Sequence, residues 1–69
     1  MRPTIVFDSR GSSGNIYVVL GLTRTALHEQ RRITDFNECR DRVFASGSYE
    51  EALAIVREYV DLVDASGEK

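Results

Sequence analysis

Apolar side chains along the chain form a short strand-like run, three helical stripes and a final short run. Residues 4–8 (Thr-Ile-Val-Phe-Asp) are β-branched and aromatic and follow a proline, which predicts a strand. From Ile16 onwards the apolar positions recur every three or four residues, which predicts a first helix. These positions are Ile16, Val19, Leu20, Thr23, Ala26 and Leu27.

Polar residues mark both ends of this first helix. Ser13 or Asn15 is expected to cap its start, and the polar stretch 28–32 to end it. Gly21 lies inside the helix, where glycine costs up to about 1 kcal/mol relative to alanine. We therefore expect Gly21 to mark a close packing contact.

Two further helices follow in the second half of the chain. The first is expected to have Thr34 as its N-cap, and to end at Ser46-Gly47. Its apolar face consists of Phe36, Cys39 and Val43. The next helix opens with a capping box, in which Ser48 accepts from the Glu51 amide and the Glu51 side chain reaches back. Its apolar positions are Tyr49, Ala52, Leu53, Val56, Tyr59 and Val60.

Residues 60–63 fit both a helix and a strand, and the first strand decides between them. A lone strand leaves its main-chain donors and acceptors unpaired, and only this last segment has the composition to pair with it. The order β-α-α-α-β predicts an α+β fold in which three helices pack on a short two-stranded sheet. Residues 1–64 are expected to form a single domain, and residues 65–69 a flexible tail.

Composition agrees with one small globular domain. The 69 residues are 42% apolar and 29% charged, far from the composition of disordered chains. Net charge is −2, divided into +3 over residues 1–32 and −5 over residues 33–69. This balance argues against nucleic-acid binding as the main function, because such binding relies on neutralising phosphates.

The cysteine content and the apolar runs indicate the compartment. Cys39 is the only cysteine, so an intramolecular disulfide is excluded and a reducing compartment is favoured. No segment approaches the roughly 18 apolar residues of a membrane span. The chain is therefore expected to be cytoplasmic, and neither exported nor inserted in a membrane.

The sequence shows no recognisable catalytic or metal-binding pattern. One cysteine and one histidine cannot form a Cys/His metal site. His28 is expected at an exposed helix end and Cys39 in the core, so they are not expected to act as a base and a nucleophile. The acidic residues of the second half are interpreted as a solvated face. We predict that the protein is not an enzyme and uses no cofactor or metal.

The glycine- and serine-rich loop before the first helix is the one candidate ligand site. Amides at a helix N-terminus can hold phosphate or carboxylate, and Arg10 adds positive charge. The loop matches neither a Walker A motif nor a dinucleotide-binding motif. The alternative is a tight turn in which Gly11 and Gly14 adopt positive φ and the serines cap the helix. The candidate ligand-binding residues are Ser9, Arg10, Gly11, Ser12, Ser13, Gly14 and Asn15.

Several segments resemble one group of proteins. Residues 5–8 (Ile-Val-Phe-Asp), 14–17 (Gly-Asn-Ile-Tyr), Leu20-Gly21 and 46–53 (Ser-Gly-Ser-Tyr-Glu-Glu-Ala-Leu) resemble short phage- and prophage-encoded proteins. The resemblance implies a phage or prophage origin, but no activity and no functional residues.

Two functions are weighed on this basis. The leading hypothesis is a non-enzymatic protein-interaction module, such as a phage accessory protein that modulates a host or defence complex. The alternative is a domain that binds or sequesters a nucleotide or another phosphate-bearing small molecule through the 8–15 loop. A homodimer is also expected, because a two-stranded sheet exposes both edges and the core is small.

Overall fold

The computed structural model describes residues 2–11 and 14–65 and has the β-α-α-α-β order. The sequence predicted this order and the α+β class, and both are confirmed. The elements are β1 (Thr4–Phe7), α1 (Ile16–Glu29), α2 (Ile33–Phe44), α3 (Tyr49–Val56) and β2 (Asp61–Asp64).

The two strands come from opposite ends of the chain and pair in parallel, Thr4 with Asp61 and Phe7 with Asp64. The final strand is thus confirmed, one residue later than expected. Ile5 and Phe7 point into the core, whereas Val6 and the adjacent Val63 lie on the exposed face. The sheet therefore buries one face against the helices.

The ladder continues one residue past β2, because the Ala65 amide donates to the Phe7 carbonyl at 2.8 Å. Ala65 is therefore tied to the sheet rather than part of the expected tail. Residues 66–69, the rest of that tail, lie outside the described residues. At the other end, the Arg2 guanidinium donates to the carbonyls of Arg57 and Val60.

Helix α1 begins with a side-chain cap and ends with an unusual residue. The Asn15 side chain accepts a hydrogen bond from the Tyr17 amide at 2.8 Å, so Asn15 is the N-cap. After the helix, Arg31 adopts a left-handed φ of 59°. The amides of Arg31 and Arg32 donate back to the carbonyls of His28 and Leu27. This is a Schellman motif with arginine at the position that usually holds glycine.

Gly21, within α1, does not mark a close contact. A Cβ atom built on it meets nothing within 4 Å, and the residue is exposed. The expected packing role is wrong. The buried face of α1 instead consists of Val19, Leu20, Thr23 and Leu27.

The starts of the other two helices differ in detail from the predicted caps. Helix α2 begins at Ile33, so the expected Thr34 cap is wrong; the preceding Arg32 makes no side-chain cap bond. The Ser48 hydroxyl accepts from the Glu51 amide at 3.0 Å, as predicted. The Glu51 carboxylate, however, accepts from the Gly47 amide at 2.8 Å rather than from Ser48. The second bond of the capping box is thus made to Gly47, one residue before the N-cap, because Gly47 presents its amide to the start of the helix.

One hydrophobic core joins the helices to the sheet. Phe36, Cys39 and Val43 of α2 are buried as predicted. Tyr59, expected in the third helix, and Val60, expected at the start of the last strand, are buried in the turn between α3 and β2. Among the described residues, the buried apolar side chains of this core are Ile5, Phe7, Val19, Leu20, Leu27, Phe36, Cys39, Val43, Ala52, Leu53, Val56, Tyr59 and Val60.

Candidate functional site

Three main-chain amides of the 8–15 loop donate to oxygen atoms of the loop itself. The Arg10 amide donates to the Asp8 carboxylate at 3.0 Å, and the Gly11 amide to the Asp8 carbonyl at 3.0 Å. The Gly14 amide donates to the Gly11 carbonyl at 3.0 Å. The two bonds to Asp8 close a turn over residues 8–11. Three of the amides that were expected to hold an anion are thus engaged within the loop.

The Asp64 carboxylate binds both hydrogen-bond donors of Ser9, at the start of the loop. Asp64 accepts from the Ser9 amide at 3.1 Å and from the Ser9 hydroxyl at 2.7 Å. A phosphate at Ser9 would meet this fixed negative charge. Ser12 and Ser13 lie outside the described residues. Phosphate binding by the loop stays an untested prediction, and the Asp64 contact weighs against it at Ser9.

Gly14 is required for close approach and not for positive φ. Neither Gly11 nor Gly14 has a positive φ, so that part of the turn interpretation is wrong. A Cβ on Gly14 would lie 2.6 Å from the carbonyl oxygen of Asp8 and from main-chain carbons of Ser9. The Tyr49 hydroxyl donates to the Gly14 carbonyl. Gly14 is therefore the point where the loop, α1 and α3 come together.

An open groove of about 380 Å³ lies next to this point, between the start of α1, the end of α2 and the start of α3. Tyr17 and Phe44 are 70% and 59% exposed, with ring centroids 6.4 Å apart and ring planes inclined by 51°. We call this the aromatic groove. Its lining residues are Ile16, Tyr17, Val43, Phe44, Ser46, Gly47, Ser48, Tyr49 and Ala52.

The polar groups on the groove's rim are already paired. The Ser46 hydroxyl donates to the Val43 carbonyl at 2.6 Å, and the Gly47 amide donates to Glu51. The Tyr49 hydroxyl donates to the Gly14 carbonyl, and the pKa of Tyr49 is raised, first by partial burial and then by the negative charge of Asp64. The groove thus offers aromatic and aliphatic surface, which suits an apolar side chain better than a charged ligand.

Sequence reasoning missed the groove because it looked for periodic apolar positions. Tyr17 and Phe44 fall outside the helical stripes, and Tyr49 was placed on a buried face although it is 38% exposed. An aromatic residue outside the core stripe of its helix is the signal that could have found it. Of the predicted loop residues, Gly14 and Asn15 lie nearest in sequence to the groove lining.

Candidate reactive groups do not assemble into a site. Cys39 is fully buried, and burial raises the pKa of its thiol to about 11. His28 is exposed at the end of α1. Among the described residues, no group of three or more His, Cys, Asp or Glu side chains is placed to hold a metal ion. Arg32 pairs with Asp35 at 2.8 Å.

Neither protein-family models, nor curated proteins, nor solved structures give a match. Within residues 2–11 and 14–65, no helix has both the length and the apolar run needed to cross a membrane.

Proposed function

We propose that this protein is a non-enzymatic protein-interaction module that binds its partner through the aromatic groove. The observation that carries the proposal is the exposure of Tyr17 and Phe44, two groove-lining rings whose centroids are 6.4 Å apart. Both rings lie outside the hydrophobic core. Exposed aromatic side chains around a concavity are typical of binding hot spots, where they bury a large area at low entropic cost.

The charge beside the groove favours a particular kind of partner. Glu50 and Glu51 follow Tyr49 in the first turn of α3, and both are exposed. A basic residue on the partner would complement them. We therefore propose a partner segment with an aromatic or branched aliphatic anchor and a lysine or arginine close to it. Given the resemblance to phage proteins, a bacterial host or defence protein is the proposed source.

A displayed library of random peptides tests this function without knowledge of the natural partner. Selection on the immobilised protein should enrich peptides with an apolar anchor next to a basic residue. Tyr17→Ser and Phe44→Ser should each weaken binding of the enriched peptides by roughly tenfold or more. Both residues are exposed, so the melting temperature should change little.

Val18→Ser is the matched control. Val18 adjoins Tyr17 in α1, is 42% exposed and is not among the groove residues, so this variant should bind the peptides like the unsubstituted protein. Failure to enrich any peptide would refute the proposal, as would equal binding by the Phe44→Ser variant.

A further inference from the structure

The outer edge of β1 carries main-chain groups directed away from β2. In a parallel ladder, alternate residues of a strand bond to the same neighbour. The Asp61 amide donates to the Pro3 carbonyl at 2.8 Å, which fixes the odd-numbered residues of β1 as those that face β2. Thr4 and Val6 therefore direct their N–H and C=O groups to the opposite edge.

This edge lacks the usual protection against pairing. Pro3 has no N–H, but its main chain faces β2, so it removes no donor from the outer edge. Residues 4–7 carry no charge, and the side chains of Thr4 and Val6 are exposed. Unprotected strand edges pair with other strands.

The outer edge of β2 is less suited than that of β1 to pair with the same strand of a second protein molecule. That strand begins with Asp61 and ends with Asp64. Antiparallel pairing of two β2 strands would gather four carboxylates around one short contact, which is unfavourable. Strand β1 is flanked instead by Arg2 and Asp8, which have opposite charges.

We propose that two copies of this protein pair through their β1 edges, antiparallel, with Ile5 at the twofold axis. In this register Thr4 lies opposite the partner's Val6, and each of these pairs exchanges two main-chain hydrogen bonds. The result is a four-stranded sheet in which both sets of helices lie on the same face. Ile5 of each copy points to that face and extends the core.

Charge complementarity selects this register. With Ile5 at the axis, Arg2 lies opposite the partner's Asp8, and the pair occurs twice by symmetry. Asp8 already accepts from the Arg10 amide. Arg2 lies 3.7 Å from Asp61 and donates to the carbonyls of Arg57 and Val60, so its side chain must turn away from these partners to reach the partner's Asp8. A twofold axis at Thr4 or at Val6 is also compatible with the hydrogen bonds of the ladder. In neither of these registers, however, does Arg2 lie opposite the partner's Asp8.

Sedimentation velocity over the micromolar range tests the edge. The unsubstituted protein should shift from monomer to dimer as its concentration rises. Thr4→Pro removes an outward N–H while leaving the bonds to β2 intact, so its dimer dissociation constant should rise roughly tenfold or more. Thr4→Val keeps the N–H and should dimerise like the unsubstituted protein.

A charge exchange tests the register. Arg2→Glu and Asp8→Lys each place like charges opposite one another in a homodimer, whereas a mixed dimer of the two variants has only opposite-charge pairs. Native mass spectrometry of an equal mixture should show the mixed dimer well above the half share of all dimers that random pairing would give. Far-ultraviolet circular dichroism verifies that each variant is folded.

Three results would overturn the proposal: a monomer throughout the concentration range, a Thr4→Pro dimer as tight as the Thr4→Val dimer, or a statistical mixture after charge exchange. A dimer lost in Phe44→Ser but kept in Thr4→Pro would place the contact at the aromatic groove instead, and would also refute it.

Discussion

The Asp64 carboxylate holds Ser9 by two bonds, one from its amide at 3.1 Å and one from its hydroxyl at 2.7 Å. This contact joins the last residue of β2 to the loop after β1. Ser9→Ala removes the hydroxyl bond and keeps the amide bond. Because the acceptor is charged and half-buried, the free energy of unfolding should fall by about 1 kcal/mol, as measured by urea denaturation. An unchanged denaturation midpoint would contradict this.

The same contact predicts how the protein responds to phosphate. Since Asp64 occupies the Ser9 donors, we expect millimolar phosphate or nucleotide to give the same small thermal shift in the unsubstituted protein and in Arg10→Ala. A ligand at a hundredfold excess over its dissociation constant would add about 2.7 kcal/mol. A phosphate-dependent rise in melting temperature that Arg10→Ala abolishes would instead support binding by the loop.

Two glycine-to-alanine substitutions should have opposite effects. A Cβ at Gly14 would lie 2.6 Å from main-chain atoms that cannot easily move, so Gly14→Ala should lower the free energy of unfolding by about 1–3 kcal/mol. Gly21 is exposed within α1 and faces open space, so Gly21→Ala should raise it by up to about 1 kcal/mol. Urea denaturation of the two variants measures both changes in the free energy of unfolding. Changes of the same sign would contradict the roles assigned to the two glycines.

Arginine at the end of α1 should be less favourable than glycine. Arg31 has a φ of 59°, a conformation in which an L side chain is crowded by its own main chain. Arg31→Gly should therefore raise the free energy of unfolding by up to about 1 kcal/mol. Gln30→Gly is the matched control, because Gln30 has a φ of −96° and glycine there only adds freedom to the unfolded chain. Chemical denaturation of both variants should give shifts of opposite sign.

The ion pair between α2 and the turn after α3 should make stability depend on pH. Arg42 donates to Glu58 at 2.7 and 3.0 Å, and to the Tyr59 hydroxyl at 3.1 Å. The hydrogen bonds from Arg42 lower the pKa of Glu58. The stabilisation by the Arg42–Glu58 pair is therefore fully present above the pKa of Glu58 in the unfolded chain. It is lost as the pH falls through the lower pKa that Glu58 has in the folded protein.

Glu58→Gln should reduce the loss of stability on acidification, measured by urea denaturation at neutral pH and at about pH 3. Glu50→Gln is the control, since Glu50 forms no ion pair within the described chain. Equal acid sensitivity in the two variants would contradict a role for the Arg42 pair. Added salt should diminish the difference, because the pair is partly exposed.

The sequence predicted those parts of the fold that depend on local patterns and on the need to pair strands. The stripe of Phe36, Cys39 and Val43 located α2, and the unpaired main chain of residues 4–7 required a partner near residue 62. Contacts between segments that are far apart in the sequence could not be predicted from local patterns. Nothing local to Ser9 indicates Asp64, and the groove forms only when Tyr17 and Phe44 come together from different helices.

Parallel pairing of β1 with β2 has a consequence for how the protein is made. Helices α1, α2 and α3 contact neighbours close in sequence, whereas β1 pairs with residues 61–64, more than 50 residues further along the chain. During translation the first strand therefore emerges long before its partner. The sheet can therefore form only after residues 61–64 have been synthesised, so a chain that stops before residue 61 retains helical sequence but no second strand.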